Sequence, residues 1–261
     1  MNQAIADPLS RPLDLSLCSI AKIATEPVLV VAPHPDDESL GCGGAIALLR
    51  SLKYTVKILV MSDGTKSHPN SRKYPKDALK HLRKTETRAA MTILGVEPDH
   101  ITFLELSDGA VPEFGTINFQ SAVTRCHAYL KLINPKIILA PWRFDPHPDH
   151  RATSQLLFST LKQAKSFPIP KVIEYPIWDW DLEQRQLLNQ NSLYSRQLNG
   201  GQLNAWRLDI SKVLSLKQQA IATYRSQTTD LIDDDPTGFR LTAQMLENFT
   251  QPWEIYLEEN Y

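Results

Sequence analysis

Nowhere in its 261 residues does the chain gather the ~18 consecutive apolar residues of a membrane span, so no integral membrane segment is expected. Cysteine is scarce. Cys18, Cys42 and Cys126 are odd in number and widely spaced, which speaks against a disulfide framework or a structural zinc knot and for buried thiols in a reducing compartment. No tract is dense in Lys or Arg, and 28 basic residues against 29 acidic ones leave a formal charge of −1. The electrostatic footprint of a nucleic-acid or anionic-membrane partner is therefore missing. So are the features of a secretory leader, because the N-terminal stretch carries Asp7, Pro8, Pro12 and Asp14 in place of a basic start and an apolar block. The expectation is a cytoplasmic protein whose oligomeric state the sequence does not disclose.

A dinucleotide fingerprint is also lacking. Gly41, Gly43 and Gly44 come close to one, but Ile46 stands at the third glycine, and the segment from His34 to Asp37 separates them from the preceding strand. These glycines are expected to let a helix pack tightly on a sheet, with Cys42 as a small core residue.

What is present is an alternation of strand and helix signals. Val28–Ala32 reads as a strand, Ser39–Leu52 as a helix and Thr55–Ser62 as a second strand, a βαβ unit whose crossover should be right-handed. The polar stretch Asp63–Pro75 is a long loop of the kind that often serves function. There follow a helix over Lys76–Leu94, a strand over Ile101–Leu104, a turn at Ser107-Asp108-Gly109, a helix over Asn118–Ile133, a strand over Ile137–Ala140 and a helix from about Asp149 to Lys165. Later signals are a strand at Val172–Tyr175, a helix over Lys212–Tyr224 capped by Ser211, and a strand at Trp253–Leu257. Residues 179–201 fit no single pattern. The reading is one doubly wound α/β domain over residues 1–261, with an N-terminal extension (1–27) and a C-terminal elaboration (about 166–261).

Two short motifs carry the chemistry. His34-Pro35-Asp36-Asp37-Glu38 follows the first strand, and His147-Pro148-Asp149-His150 follows Ile137–Ala140. Both would lie at the carboxyl ends of buried strands, where open α/β sheets build their sites. Imidazole and carboxylate suit Zn2+, and three protein ligands leave a position open for water. His34, Asp37 and His150 are the expected ligands. Asp36, beside them, is left to act as a base, and His147 to donate to an oxyanion. Asp149 is expected to hold His147 protonated, since a nearby carboxylate raises a histidine's pKa. Two histidines and one carboxylate also describe an Fe2+ site.

The two motifs resemble those of the PIG-L/LmbE-like deacetylases, with Pro33 the single departure in the first. That resemblance implies an α/β, Rossmann-like three-layer fold with a mostly parallel sheet. It also implies a zinc-dependent hydrolase that removes acetyl from an N-acetylated amino sugar or a small-molecule conjugate of one. In its terms His34, Asp37 and His150 bind metal, Asp36 is the general base, and His147 with Asp149 stabilises the oxyanion. The family's Arg-x-x-Glu helix leading into Leu-Gly is matched by Arg83, Glu86 and Leu94-Gly95, which makes Arg83 a substrate-binding candidate. Lys217 and Ala220 through Ser226-Gln227 resemble a further pattern, although Tyr224 stands where histidine is common. The resemblance covers roughly Val28 to Ala164.

Other signals carry structural readings. His68, His81, His100 and His127 are isolated and suit surface or hydrogen-bonding roles. Tyr175, Trp178 and Trp180 suit packing more than sugar stacking, and Asp233-Asp234-Asp235 reads as a solvated turn before Pro236. Two rival functions remain at this level: hydrolysis of another amide or ester, and a non-catalytic sugar-binding module, because a fold does not fix a function. A two-metal phosphoesterase is disfavoured, since extra ligands are scarce.

Overall fold

Every residue of Val28–Ala32 is buried, and alternate side chains enter different cores: Val28, Val30 and Ala32 one, Leu29 and Val31 the other. A strand buried on both faces needs helices on both sides, and the structure, a computed structural model, supplies them. It describes residues 9, 11–164, 167–179 and 203–259. The strands are β1 (Ser16–Cys18), β2 (Val28–Ala32), β3 (Val56–Ser62), β4 (Ile101–Leu106), β5 (Ile137–Pro141), β6 (Lys171–Tyr175), β7 (Leu203–Asp209) and β8 (Trp253–Glu259). The helices are α1 (Asp37–Ser51), α2 (Lys76–Ile93), α3 (Phe119–Ile133), α4 (Pro148–Lys162), α5 (Leu214–Ala222), α6 (Arg225–Thr228) and α7 (Ala243–Phe249). One sheet runs in the order β1-β7-β8-β6-β5-β2-β3-β4. All its pairings are parallel except the two made by β8. Helices α1, α2 and α5 pack into one core and α3 and α4 into the other. This is the three-layer α/β fold with a mostly parallel sheet that the sequence implied.

The connections explain where the site lies. From β2 the chain winds outward through β3 to β4, then returns to place β5 on the other side of β2. The reversal opens a crevice beyond the carboxyl ends of β2 and β5, the usual ligand position in such sheets. Above it the glycines of α1 act as expected. A Cβ on Gly41 would sit 2.3 Å from the Tyr175 ring, and one on Gly44 would sit 2.4 Å from Ile210. Only hydrogen side chains let α1 lie this close to the sheet.

Some expectations need correction. Ser211 does not cap α5: the helix starts at Leu214 without a side-chain cap, and Ser211 N donates to Asp209 Oδ1 at 2.9 Å. The Asp209 side chain turns the chain before the helix begins. Strands β1 and β7, at one end of the sheet, carried no clear sequence signal. Of the aromatic trio, Trp180 lies outside the described residues, as do residues 181–201 of the ambiguous stretch. Among the described residues no helix is long and apolar enough to cross a membrane.

Candidate active site at the ends of β2 and β5

Between β2 and α1 the backbone turns sharply. Asp36 has φ 128° and ψ −30°, a region that costs a non-glycine residue ~1–3 kcal/mol and persists only where its surroundings enforce it. Here they do. Asp36 N donates to Glu38 Oε2 at 3.1 Å, and Glu38 in turn receives Ser39 Oγ at 3.2 Å and the Tyr224 hydroxyl. From α2, buried Arg83 donates through Nη2 to Pro35 O and, at 3.2 Å, to Asp36 Oδ2. Arg83 is itself positioned in a helix tied to the C-terminal segment, because Glu86 accepts from Ser226 N at 2.7 Å and Ser226 Oγ at 2.6 Å.

After β5 the second motif starts α4. His147 caps that helix, its Nδ1 accepting from Asp149 N at 3.2 Å. The Asp149 carboxylate faces elsewhere. It accepts from Gly109 N at 2.7 Å and Val111 N at 3.2 Å and lies 3.2 Å from His34 Nε2. The expectation that Asp149 holds His147 protonated is therefore corrected: the carboxylate is spent on His34 and the loop after β4, and only its backbone amide meets His147. Burial and the charges of His150 and His34 push His147 down to about 4, the direction of a neutral ring.

One convergence is between the two motifs. His34 Nδ1 and Asp37 Oδ2 are 3.1 Å apart, His150 Nε2 and Asp37 Oδ2 3.2 Å, and His34 Nδ1 and His150 Nε2 3.3 Å. Two ligands about 2.0–2.1 Å from a tetrahedral zinc lie about 3.3 Å apart, so this triangle fits a metal. Other groupings exist as well. One ligand atom each of His34, His147 and His150 lies within 4.8 Å of the others, as does one each of His34, Asp108 and Asp149.

The electrostatics favour a cation at the same point. Burial opposes charge on His34, yet Asp108, Asp149 and Asp37 push its pKa well up. His150, with burial likewise opposing, is pushed up to about 9 by Asp145 and Asp37. Burial would raise Asp37, but His150 and His34 hold it well below the usual carboxylate range. Asp36 goes the other way. Burial drives it up to about 8 against the pull of Arg83, with Asp37 and Glu38 adding to the rise.

His34, Asp36, Asp37 and His147 line a cavity of about 350 Å³ whose wall also includes Lys66, Arg83, Trp178, Gln227, Phe239 and Met245. Two Arg83 donors, Nε and Nη1, are buried with no hydrogen-bond partner among the described residues, as expected of a group kept for a ligand. The loop after β3 lines the cavity through Lys66 and Ser67, as its length suggested. Tyr175 is core: it is fully buried and donates to Val31 O at 2.8 Å.

A family model described as "PIG-L: GlcNAc-PI de-N-acetylase" matches residues 29–161, just over half of the chain. The chain belongs to the PIG-L family. This is a family of hydrolytic enzymes acting on N-acetyl amides. The chain is 25% identical to "Probable N-acetyl-alpha-D-glucosaminyl L-malate deacetylase 2" of Bacillus cereus, over 87% of this chain and 98% of that protein. It is 26% identical to "Diacetylchitobiose deacetylase" of Thermococcus kodakarensis, over 77% and 69%. Among solved structures it shares the fold of GalB, the 4-carboxy-2-hydroxymuconate hydratase of Pseudomonas putida KT2440. The TM-score there is 0.61 at 18% identity, covering 91% of this chain and 97% of that one. A hydratase on this fold shows that architecture alone does not choose the reaction.

Sequence reasoning missed several contributors. Asp145 is fully buried beside His150, and its one signal is a place two residues before His147. Asp108 lies 3.3 Å from His34 Nε2 and was visible only as a turn residue. Phe239 and Met245 join the cavity wall across long stretches of chain, where local pattern is silent, whereas Tyr224, noted for standing where histidine is common, bonds Glu38, and Trp178, read as packing, lines the cavity.

Proposed function

We propose that this protein is a zinc-dependent, cytoplasmic, single-domain hydrolase that releases acetate from an N-acetylglucosaminyl-type conjugate. His34, Asp37 and His150 would hold the ion, Asp36 would act as base, His147 as oxyanion donor, and Arg83 would contact substrate. The observation that carries the reading is the triangle of ligand atoms 3.1, 3.2 and 3.3 Å apart with Asp36 next to it. A divalent ion supplies a Lewis acid for the amide carbonyl and lowers the pKa of water.

The protein's own groups would then act as follows. Asp36, held by Arg83 and the strained turn, takes a proton from the attacking water; its pKa, raised by burial, would be lowered toward the ionised form that a base requires by the charge that His34, Asp37 and His150 would hold. As the carbonyl becomes tetrahedral, neutral His147 donates to the oxyanion from Nε2. Its tautomer follows from Nδ1 accepting the Asp149 amide. A neutral imidazole can serve as such an electrophile. The proton on Asp36 passes to the leaving amine, and acetate and a free amino sugar result. Asp149 serves here by orienting His34, not by charging His147.

The substrate class is supported by the names of the relatives, which act on a glucosaminyl malate and on diacetylchitobiose. A plain sugar-binding module would need neither Asp36 nor His147. The test is acetate release from a panel of N-acetylglucosamine conjugates with zinc-loaded, anaerobically iron(II)-loaded and chelated protein. Release that depends on metal and ranks zinc above iron(II) is expected. One tightly bound metal with no acetate from any conjugate would overturn the deacetylase reading and favour another acyl group or another water-using reaction.

A further inference from the structure

Asp145 is not part of either motif, yet it touches both functions of the second one. Its side chain is fully buried. Oδ1 accepts from His147 N at 2.8 Å, while Oδ2 accepts from Ile177 N at 3.2 Å and Trp178 N at 3.0 Å and lies 3.3 Å from His150 Nδ1. That last approach is a charge contact, not an aligned hydrogen bond, and His150 Nδ1 makes no hydrogen bond among the described residues. The arrangement on His34 is the counterpart: Nδ1 faces the ligand triangle and Nε2 faces Asp149 at 3.2 Å. Each histidine of the triangle thus turns one nitrogen inward and the other to a buried carboxylate.

We infer that Asp145 is a positioning residue that keeps the proton of His150 on Nδ1 and its Nε2 lone pair facing Asp37 and His34, while fixing the backbone of His147. The inference rests on the proposal that His150 is a metal ligand. The physical reason is tautomeric. A neutral imidazole carries one proton, and a carboxylate, which only accepts, holds that proton on the nitrogen it meets. The other nitrogen is then free to coordinate. Carboxylate partners of this kind fix ring orientation and raise ligand basicity, and losing one typically weakens metal affinity about 10–100-fold. The two amides after β6 explain why Asp145 is so well held: Ile177 N and Trp178 N anchor the same oxygen that faces His150, so β6 and the end of β5 share one pivot.

In D145N the volume is kept but the charge is lost, and because both oxygens of Asp145 accept backbone amides, the Asn NH2 must face a donor on one side. The carboxylate that holds the His150 proton on Nδ1 is then gone, and the tautomer protonated at Nε2, which cannot coordinate, competes. Zinc affinity, measured by competition with a chromogenic chelator, is expected to fall about 10–100-fold in D145N. A D145N protein that binds zinc as tightly as wild type overturns the inference. H150A is the control for the underlying reading: unchanged zinc affinity there means that His150 is not a ligand, whereas loss in H150A but not in D145N rejects Asp145 alone. If D145N does not fold, the metal-free wild-type protein, at a pH where His150 is neutral, still decides. Nitrogen-15 spectra should show His150 protonated at Nδ1, and a proton at Nε2 overturns the inference. A merely structural Asp145 would leave that tautomer unconstrained.

Discussion

Residues 28–162 and residues 203–259 serve the same site in opposite ways. The first region supplies the groups that can do chemistry, each within a few residues of a strand end: His34, Asp36 and Asp37 after β2, His147, Asp149 and His150 after β5. The second supplies groups that hold them. Tyr224 pins Glu38 behind the strained turn, Ser226 binds Glu86 beside Arg83, and Glu254 reaches under α1 to accept from Gly44 N at 2.7 Å and Ala45 N at 2.9 Å. Asp234 and Asp235, expected as a solvated turn, clasp the loop after β3 by accepting from Asn70 N and Arg72 N at 2.8 Å and Lys73 N at 2.9 Å. The difference teaches that reactive geometry is local, while its rigidity is borrowed from distant chain.

Substitutions should separate the two regions. The largest effect belongs to the first. D36N should lose about 10²–10⁴-fold in turnover, the usual worth of a positioned acid–base group, while metal content stays that of wild type. Near-normal acetate release by the variant would remove Asp36 from the base role.

The next effect belongs to the second region. Lys217 donates to Glu254 Oε1 at 2.7 Å, and both are buried. K217M leaves a buried carboxylate without its countercharge, so urea unfolding should show a loss of ~3–5 kcal/mol with turnover per folded molecule little changed. A stable but inactive K217M would break the division between the regions.

Smaller still is Y224F. It removes one donor from buried Glu38, for which ~1–3 kcal/mol of stability is expected, together with a turnover loss well short of that in D36N. Equal losses in the two variants would make Tyr224 part of the chemistry.

The mildest test lies on the seam. Arg143, in the loop after β5, pairs with Glu174 on β6 and at 2.8 Å with Glu259 on β8. Burial pushes Glu174 up to about 7 despite Arg143. A carboxyl raised in the folded state binds more protons there than in the unfolded chain, so its contribution is complete below its ordinary carboxylate range and is lost as pH rises toward 7. The unfolding midpoint of wild type relative to E174Q should therefore fall between pH 4.5 and 7. A rise over that interval would show that Arg143 keeps Glu174 ionised throughout.

By itself the sequence determined the core strands and helices from Val28 to Lys162 to within three residues at each end, because apolar periodicity of 2 and 3.6 is a local property. It also determined both motifs, because a strand end followed by His, Asp and Pro is local too. The tertiary structure alone decided the rest. β8 enters antiparallel between β6 and β7, which no residue within it announces, since pairing partners are chosen by the whole sheet. Asp149 faces His34 and not His147, because the loop after β4 brings two amides to its carboxylate. Asp145, Tyr224 and the Trp178–Phe239 part of the cavity wall acquire their places only when segments 30 to 190 residues apart are packed together. Burial then sets the electrostatics, since a carboxyl two positions from a histidine has no particular pKa until the fold decides how much water and charge surround it.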